Sequence, residues 1–140
     1  MKPYYVSVES NPEREFIKLL EDKNNSVKWW YKNGESDKKY FAIKYKDSQG
    51  IERSFYVDFV TMTYDGRIGL FDPKGGITIQ VAKEKAEALA KYIKLQNEKY
   101  GKNLWGGIAV NLNGSWKYND AEAFTENLNT KDWKFLQFFS

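Results

Sequence analysis

Ile68-Gly69-Leu70-Phe71-Asp72-Pro73-Lys74-Gly75-Gly76 is where the hydrophobic pattern of the chain changes its period. Upstream, apolar and β-branched residues come in short runs separated by turn-forming clusters, the pattern of strands. Downstream, Ala82, Ala86, Leu89, Ile93 and Gln96 recur at helical spacing, while Lys83, Glu84, Glu87, Lys91, Lys94 and Glu98 fall mainly elsewhere. The spacing therefore predicts a strand from Arg67 to Lys74, a close at Gly75-Gly76, and a long helix from Val81 to Tyr100 that stops at Gly101. Leu104 to Asn111 reads as a buried strand, followed by a turn at Asn113-Gly114 and a short strand from Ser115 to Tyr118. A helix between two strands of one sheet implies a right-handed crossover and a parallel pair.

Working back towards the N-terminus, Tyr64-Asp65-Gly66 and Asp47-Ser48-Gln49-Gly50 are turn signals on either side of Phe55 to Val60, read as one strand that carries Asp58. The cluster Asn33 to Asp37 predicts a hairpin between Val27–Lys32 and Tyr40–Tyr45. Ser10-Asn11-Pro12-Glu13 reads as a helix start, with Ser10 as N-cap, and Phe16, Ile17, Leu19 and Leu20 as the apolar face. Trp133 to Phe139 is an apolar strand or short helix that covers the sheet. The expected order is helix, three or four hairpin-linked strands, long helix, strand: an α/β domain with a mixed sheet.

With 140 residues, 41% hydrophobic and 29% charged, the chain is expected to fold as one domain over residues 1–140. It contains no Cys and no His. That removes disulfides, thiolate nucleophiles, Cys/His zinc sites and histidine-based triads, and leaves carboxylate and lysine chemistry. A metal site would have to be built from oxygen ligands, which suit Mg²⁺, Mn²⁺ or Ca²⁺. No run approaches the roughly 20 apolar residues of a membrane helix, and the start of the chain has no signal-peptide pattern, so the expectation is a soluble, cytoplasmic protein without a membrane partner. Net charge is only +3, but seven lysines lie between Lys23 and Lys46 against Glu35 and Asp37. Such a run is either a solvated face or a nucleic-acid footprint.

Asp72 and Lys74, two residues apart on one predicted strand, point to the same face. Asp58 occupies a comparable place on the preceding strand, from which two carboxylates can share one ion. From spacing alone the plainer reading is an Asp72–Lys74 or Asp58–Lys74 salt bridge at a sheet edge, or solvent exposure at strand ends. Glu13 shares a helix face with Phe16 and Leu20, and also stands where a capping-box partner of Ser10 would stand. Lys28 and Lys32 flank Trp29-Trp30-Tyr31, a base-stacking candidate of which alternation sends part to the core. Gln80 and Lys83 fall near the start of the long helix, where the dipole favours anions such as phosphate.

The order of these elements, with Asp58, then Asp72-Pro73-Lys74, then a long helix and strand, resembles the PD-(D/E)xK restriction-endonuclease-like superfamily. More narrowly, Phe55-Tyr56-Val57-Asp58-Phe59, Gly69-Leu70-Phe71-Asp72-Pro73-Lys74-Gly75 and Lys85-Ala86-Glu87-Ala88-Leu89 resemble the nuclease portion found beside helicase domains in type III restriction enzymes and related DEAD/DEAH proteins. The resemblance covers Ser10 to Tyr118 and implies a restriction-endonuclease-like fold: a central mixed sheet of four or five strands flanked by helices, in αβββαβ order. It implies a metal-dependent endonuclease that hydrolyses DNA phosphodiesters, acting alone or as a fragment of a larger helicase-coupled protein. Asp58, Asp72 and Glu13 would hold Mg²⁺ or Mn²⁺, and Lys74 would act on the attacking water and the phosphate. Val57 stands where the family's motif has proline, and Pro73 removes a strand donor, which predicts a bulge or an edge there. The alternative readings are a silent nucleic-acid-binding module and a structural or interaction domain. Nothing in the sequence identifies an oligomer interface.

Overall fold

The computed structural model describes residues 11–22, 24–33, 42–75 and 82–138. Ser10, Gln80, Val81 and most of the turn cluster after Asn33 lie outside them. Among the described residues two helices and eight strands follow in the order α1 (Asn11–Leu20), β1 (Val27–Lys32), β2 (Ile43–Lys46), β3 (Glu52–Phe55), β4 (Phe59–Thr63), β5 (Ile68–Pro73), α2 (Lys83–Tyr100), β6 (Leu104–Leu112), β7 (Ser115–Asn119) and β8 (Trp133–Phe135).

Six strands form one mixed sheet in the order β1-β4-β5-β6-β7-β8, and β2 and β3 form a separate two-stranded sheet. This overturns the expected restriction-endonuclease-like arrangement of four or five strands in αβββαβ order, although the chain is still α/β. Two departures produce the difference. β1 pairs antiparallel with β4, Tyr31 opposite Val60, and not with the next strand, so the β2–β3 hairpin stands apart. β7 and β8 then extend the sheet beyond β6 by two antiparallel strands. The crossover through α2 does make β5 and β6 a parallel pair, Leu70 opposite Gly106.

Alternation along β4 and β5 divides the core. Phe59 and Phe71 point to one face, where Phe16 and Leu20 of α1 pack with Ala109, Trp116, Leu136 and Phe138. Val60 and Leu70 point to the other, against Leu89 and Ile93 of α2, Ile43 and Phe55 of the small sheet, and Val57 just after it. Gly106 and Gly107 explain themselves here: a Cβ at Gly106 would lie 2.1 Å from the Leu70 carbonyl oxygen, and one at Gly107 2.0 Å from that of Asn119. The backbones of β5, β6 and β7 approach too closely for any side chain at these two positions. At the end of α2, Gly101 adopts the left-handed conformation at φ 63° and its N–H donates to the Asn97 carbonyl. The Asn97 amide then makes two hydrogen bonds of 2.9 Å with the backbone of Leu104, which fixes the entry into β6.

Candidate functional site

The expected strand over 55–60 is broken where it matters most. An unbroken strand would send Phe55, Val57 and Phe59 to one face. Instead Phe55 and Val57 pack towards α2 while Phe59 packs towards α1, so the alternation slips at Asp58. The Asp58 carbonyl accepts the Asn33 N–H at 2.7 Å, which ties this bend to the end of β1. Phe59 opposite Phe71 is the last pair of the β4–β5 register, and the next residues on the two segments, Asp58 and Asp72, bring their carboxyl groups into contact.

Pro73 belongs to β5 without a bulge in its pairing with β6. The Lys74 N–H donates to the Ala109 carbonyl at 2.8 Å, so the nitrogen of Pro73 faces the other way, past the beginning of β4. The missing donor thus falls where the sheet has already opened, and the opening is a cleft of about 370 Å³ lined by Glu13, Ser54, Phe55, Tyr56, Asp58, Asp72, Lys74 and Lys85. Four charged residues singled out from the sequence, Glu13, Asp58, Asp72 and Lys74, meet there. Phe16, seated between Phe59, Phe71 and Trp116, holds the α1 turn that carries Glu13.

Asp72 is only 1% exposed. Its Oδ2 lies 3.2 Å from Lys74 Nζ, but without a directed hydrogen bond to this buried oxygen. The Asp58 carboxyl is pushed up to about 10, first by burial and then by the charge and hydrogen-bonding contact of Asp72 and of Glu13. Burial works against the Lys74 ammonium, but the charges of Asp72, Asp58 and Glu13 outweigh it and hold its pKa above the ordinary lysine value. Lys32, reaching from β1, pairs with Glu13 at 3.4 Å and sits over the Phe59 ring. The cleft is therefore an acid cluster in which one proton and two ammonium groups balance the carboxylates.

Among the described residues no group of three or more acidic side chains is arranged to hold a metal ion. Glu13, Asp58 and Asp72 do line one cleft with oxygen donors of the kind that hard cations take, and the buried Oδ2 of Asp72 has only the Lys74 ammonium beside it.

The raised Asp58 pKa has a consequence for stability. The folded chain keeps a proton that the unfolded chain, with its carboxyl at the ordinary 3.8, releases, so this group's contribution falls as pH rises from about 4 towards 10. Asp58→Asn removes the slope. In EDTA at pH 8 the variant is expected to melt about 6 °C above the parent, roughly 2 kcal/mol, and near the parent at pH 4. A parent that gains stability over the variant between pH 5 and 9 would contradict the protonated cluster.

Of the other residues noted from the sequence, Lys28 is exposed on β1, at the bulge between Val27 and Trp29. Lys83 is exposed on α2, pairs with Glu87 at 2.9 Å, and lines a different groove, between β2 and α2. Gln80 lies outside the described residues. The lysine that α2 gives to the acid cleft is Lys85, which sits 5.7 Å from the centre of the Phe55 ring. It lies four residues before Leu89 on the apolar side of the helix, and a lysine in that stripe was the available signal. Tyr56 and Ser54 carried no such signal.

Among the described residues no helix is long and apolar enough to cross a membrane. No curated protein and no solved structure matches the chain. A family model does match: that of the YagJ family, over residues 4–109 and thus well over half of the chain, and the protein accordingly belongs to the YagJ family.

Proposed function

We propose that the chain is a divalent-cation-dependent endonuclease domain that hydrolyses DNA phosphodiester bonds in the cleft between Asp58 and Asp72. The observation that carries this reading is the convergence of Glu13, Asp58, Asp72 and Lys74, drawn from α1, the 56–58 bend and the end of β5, around one open cleft. A buried cluster of three acids is costly in a protein that makes no use of it. Asp58, Asp72 and Glu13 are the oxygen donors for Mg²⁺ or Mn²⁺ in this proposal. Such an ion, when bound, lowers the pKa of water and neutralises phosphoryl charge, so no histidine is required. Lys74, kept protonated by its acidic neighbours, is then a positive charge for the phosphate and not a base. Lys85, at the exposed rim, is placed to attract the DNA backbone. The motif-level resemblance to PD-(D/E)xK nucleases supports the reading at these residues. A cytoplasmic setting and a helicase or ATPase domain as companion belong to the same proposal.

A second reading, a silent nucleic-acid-binding module, draws on the way the cluster balances its own charge through the Asp72–Lys74 and Glu13–Lys32 pairs. Calorimetric titration of Mn²⁺ into the wild type and Asp58→Ala, with parallel incubation on plasmid DNA, separates the two. Saturable binding lost in the variant, together with nicking by the wild type, is expected. No binding and no nicking, even with DNA present, would favour the silent module.

A further inference from the structure

The three aromatic residues of β1 part company in the fold. Trp30, opposite Thr61, turns towards α1 and packs on Phe59, with ring centroids 5.9 Å apart. Trp29 and Tyr31 turn to the other face and remain 40% and 43% exposed. Their rings are nearly parallel, 5.9 Å apart with 19° between planes. Among the described residues this is the one ring pair in which both partners are exposed; Tyr64, Tyr100 and Phe135 project singly.

The position of the pair matters as much as its exposure. Tyr31, Val60 and Leu70 stand in one cross-strand row, and residues opposite one another point to the same face. Asp72 lies two residues along β5 from Leu70, and Asp58 two residues along the chain from Val60. Asn33, two residues along from Tyr31, donates its N–H to the Asp58 carbonyl at 2.7 Å, which sets the two backbones about two strand residues, roughly 7 Å, apart. Among the described residues β1 is also an outer strand of the sheet, so the rings are approachable from the side, and Lys28 next to them is exposed. We propose that Trp29 and Tyr31 are a stacking platform for unpaired bases flanking the phosphate in the acid cleft, which makes single-stranded DNA the preferred ligand. This rests on the nuclease reading for the phosphate's place and adds the form of the substrate. Stacking on an aromatic face tolerates any base, whereas a duplex keeps its bases stacked on one another.

The test is anisotropy of a short fluorescein-labelled oligothymidylate and of a duplex of equal length, in EDTA so that neither is cut. Trp29→Ala and Tyr31→Ala are each expected to weaken single-strand binding about 5- to 100-fold and duplex binding less than about twofold. Circular dichroism checks that the variants fold. A wild-type measurement independent of them is photo-crosslinking of an oligomer carrying 5-iodouracil, with the adduct expected on Trp29 or Tyr31. Equal loss for both DNA forms, or adducts only elsewhere, would overturn the platform. So would sedimentation showing dimers that Trp29→Ala dissociates, because the pair would then be covered by a second copy. Selective binding by a protein that never nicks DNA in Mn²⁺ would keep the platform and overturn the nuclease reading; nicking with unaltered binding in the variants would do the reverse.

Discussion

Asp72→Asn is expected to lower cation-dependent nicking of plasmid DNA at least about 10³-fold without unfolding the chain. The activity should collapse because Asp72 is the most buried acid of the cleft, and its Oδ2 is held only by the ion pair with Lys74. The fold should survive because the charges rearrange. With Asp72 neutral, Asp58 loses the strongest of its electrostatic repulsions and can ionise, and Lys74 gains a replacement counter-charge. Burial of an unpaired ammonium, the usual cost of removing one member of such a pair, is thereby avoided. Nicking rates and melting curves of the same preparation make the check. Full activity in a well-folded variant would remove Asp72 from the proposed site, whereas loss of both activity and structure would deny the compensation by Asp58.

The parts of this fold legible in the sequence are those governed by contacts close along the chain. The turns at Asp47 to Gly50, Tyr64 to Gly66 and Asn113-Gly114 occur as expected, and α2 buries Ala86, Leu89 and Ile93 and ends at Gly101. Asp72 and Lys74 share a face for the same reason, two residues being one strand period. What the sequence hid is non-local. Nothing in Val27–Lys32 says that its partner is β4 and not the nearer β2, because either pairing satisfies its alternation. The break at Asp58 was invisible too, since Phe55 to Val60 has no Gly or Pro to mark it; only the division of Val57 and Phe59 between two cores produces it. That break frees the Asp58 carboxyl from a regular strand and opens the cleft. The place of Glu13 in the cluster likewise depended on Lys32 and Asp58, which are remote in sequence but adjacent in space.

Phe16→Ala should carry the largest stability cost among the predictions made for this protein, about 4 kcal/mol or some 12 °C in melting temperature. Phe16 is fully buried and contacts Phe59, Phe71 and Trp116 at centroid distances of 5.1–5.6 Å, so truncation leaves a cavity bounded by three stiff rings that cannot collapse into it. The same ring seats α1 on the sheet, and Glu13 is one helical turn before it. Loss of the anchor is therefore expected to lower Mn²⁺ affinity as well as stability, while Phe16→Leu, which refills much of the space, should recover part of both. Urea titration beside calorimetry measures the two quantities on one sample. A destabilisation below about 1 kcal/mol would mean that α1 is not anchored through Phe16, and a large destabilisation with unchanged Mn²⁺ affinity would take Glu13 out of the ion's ligand set.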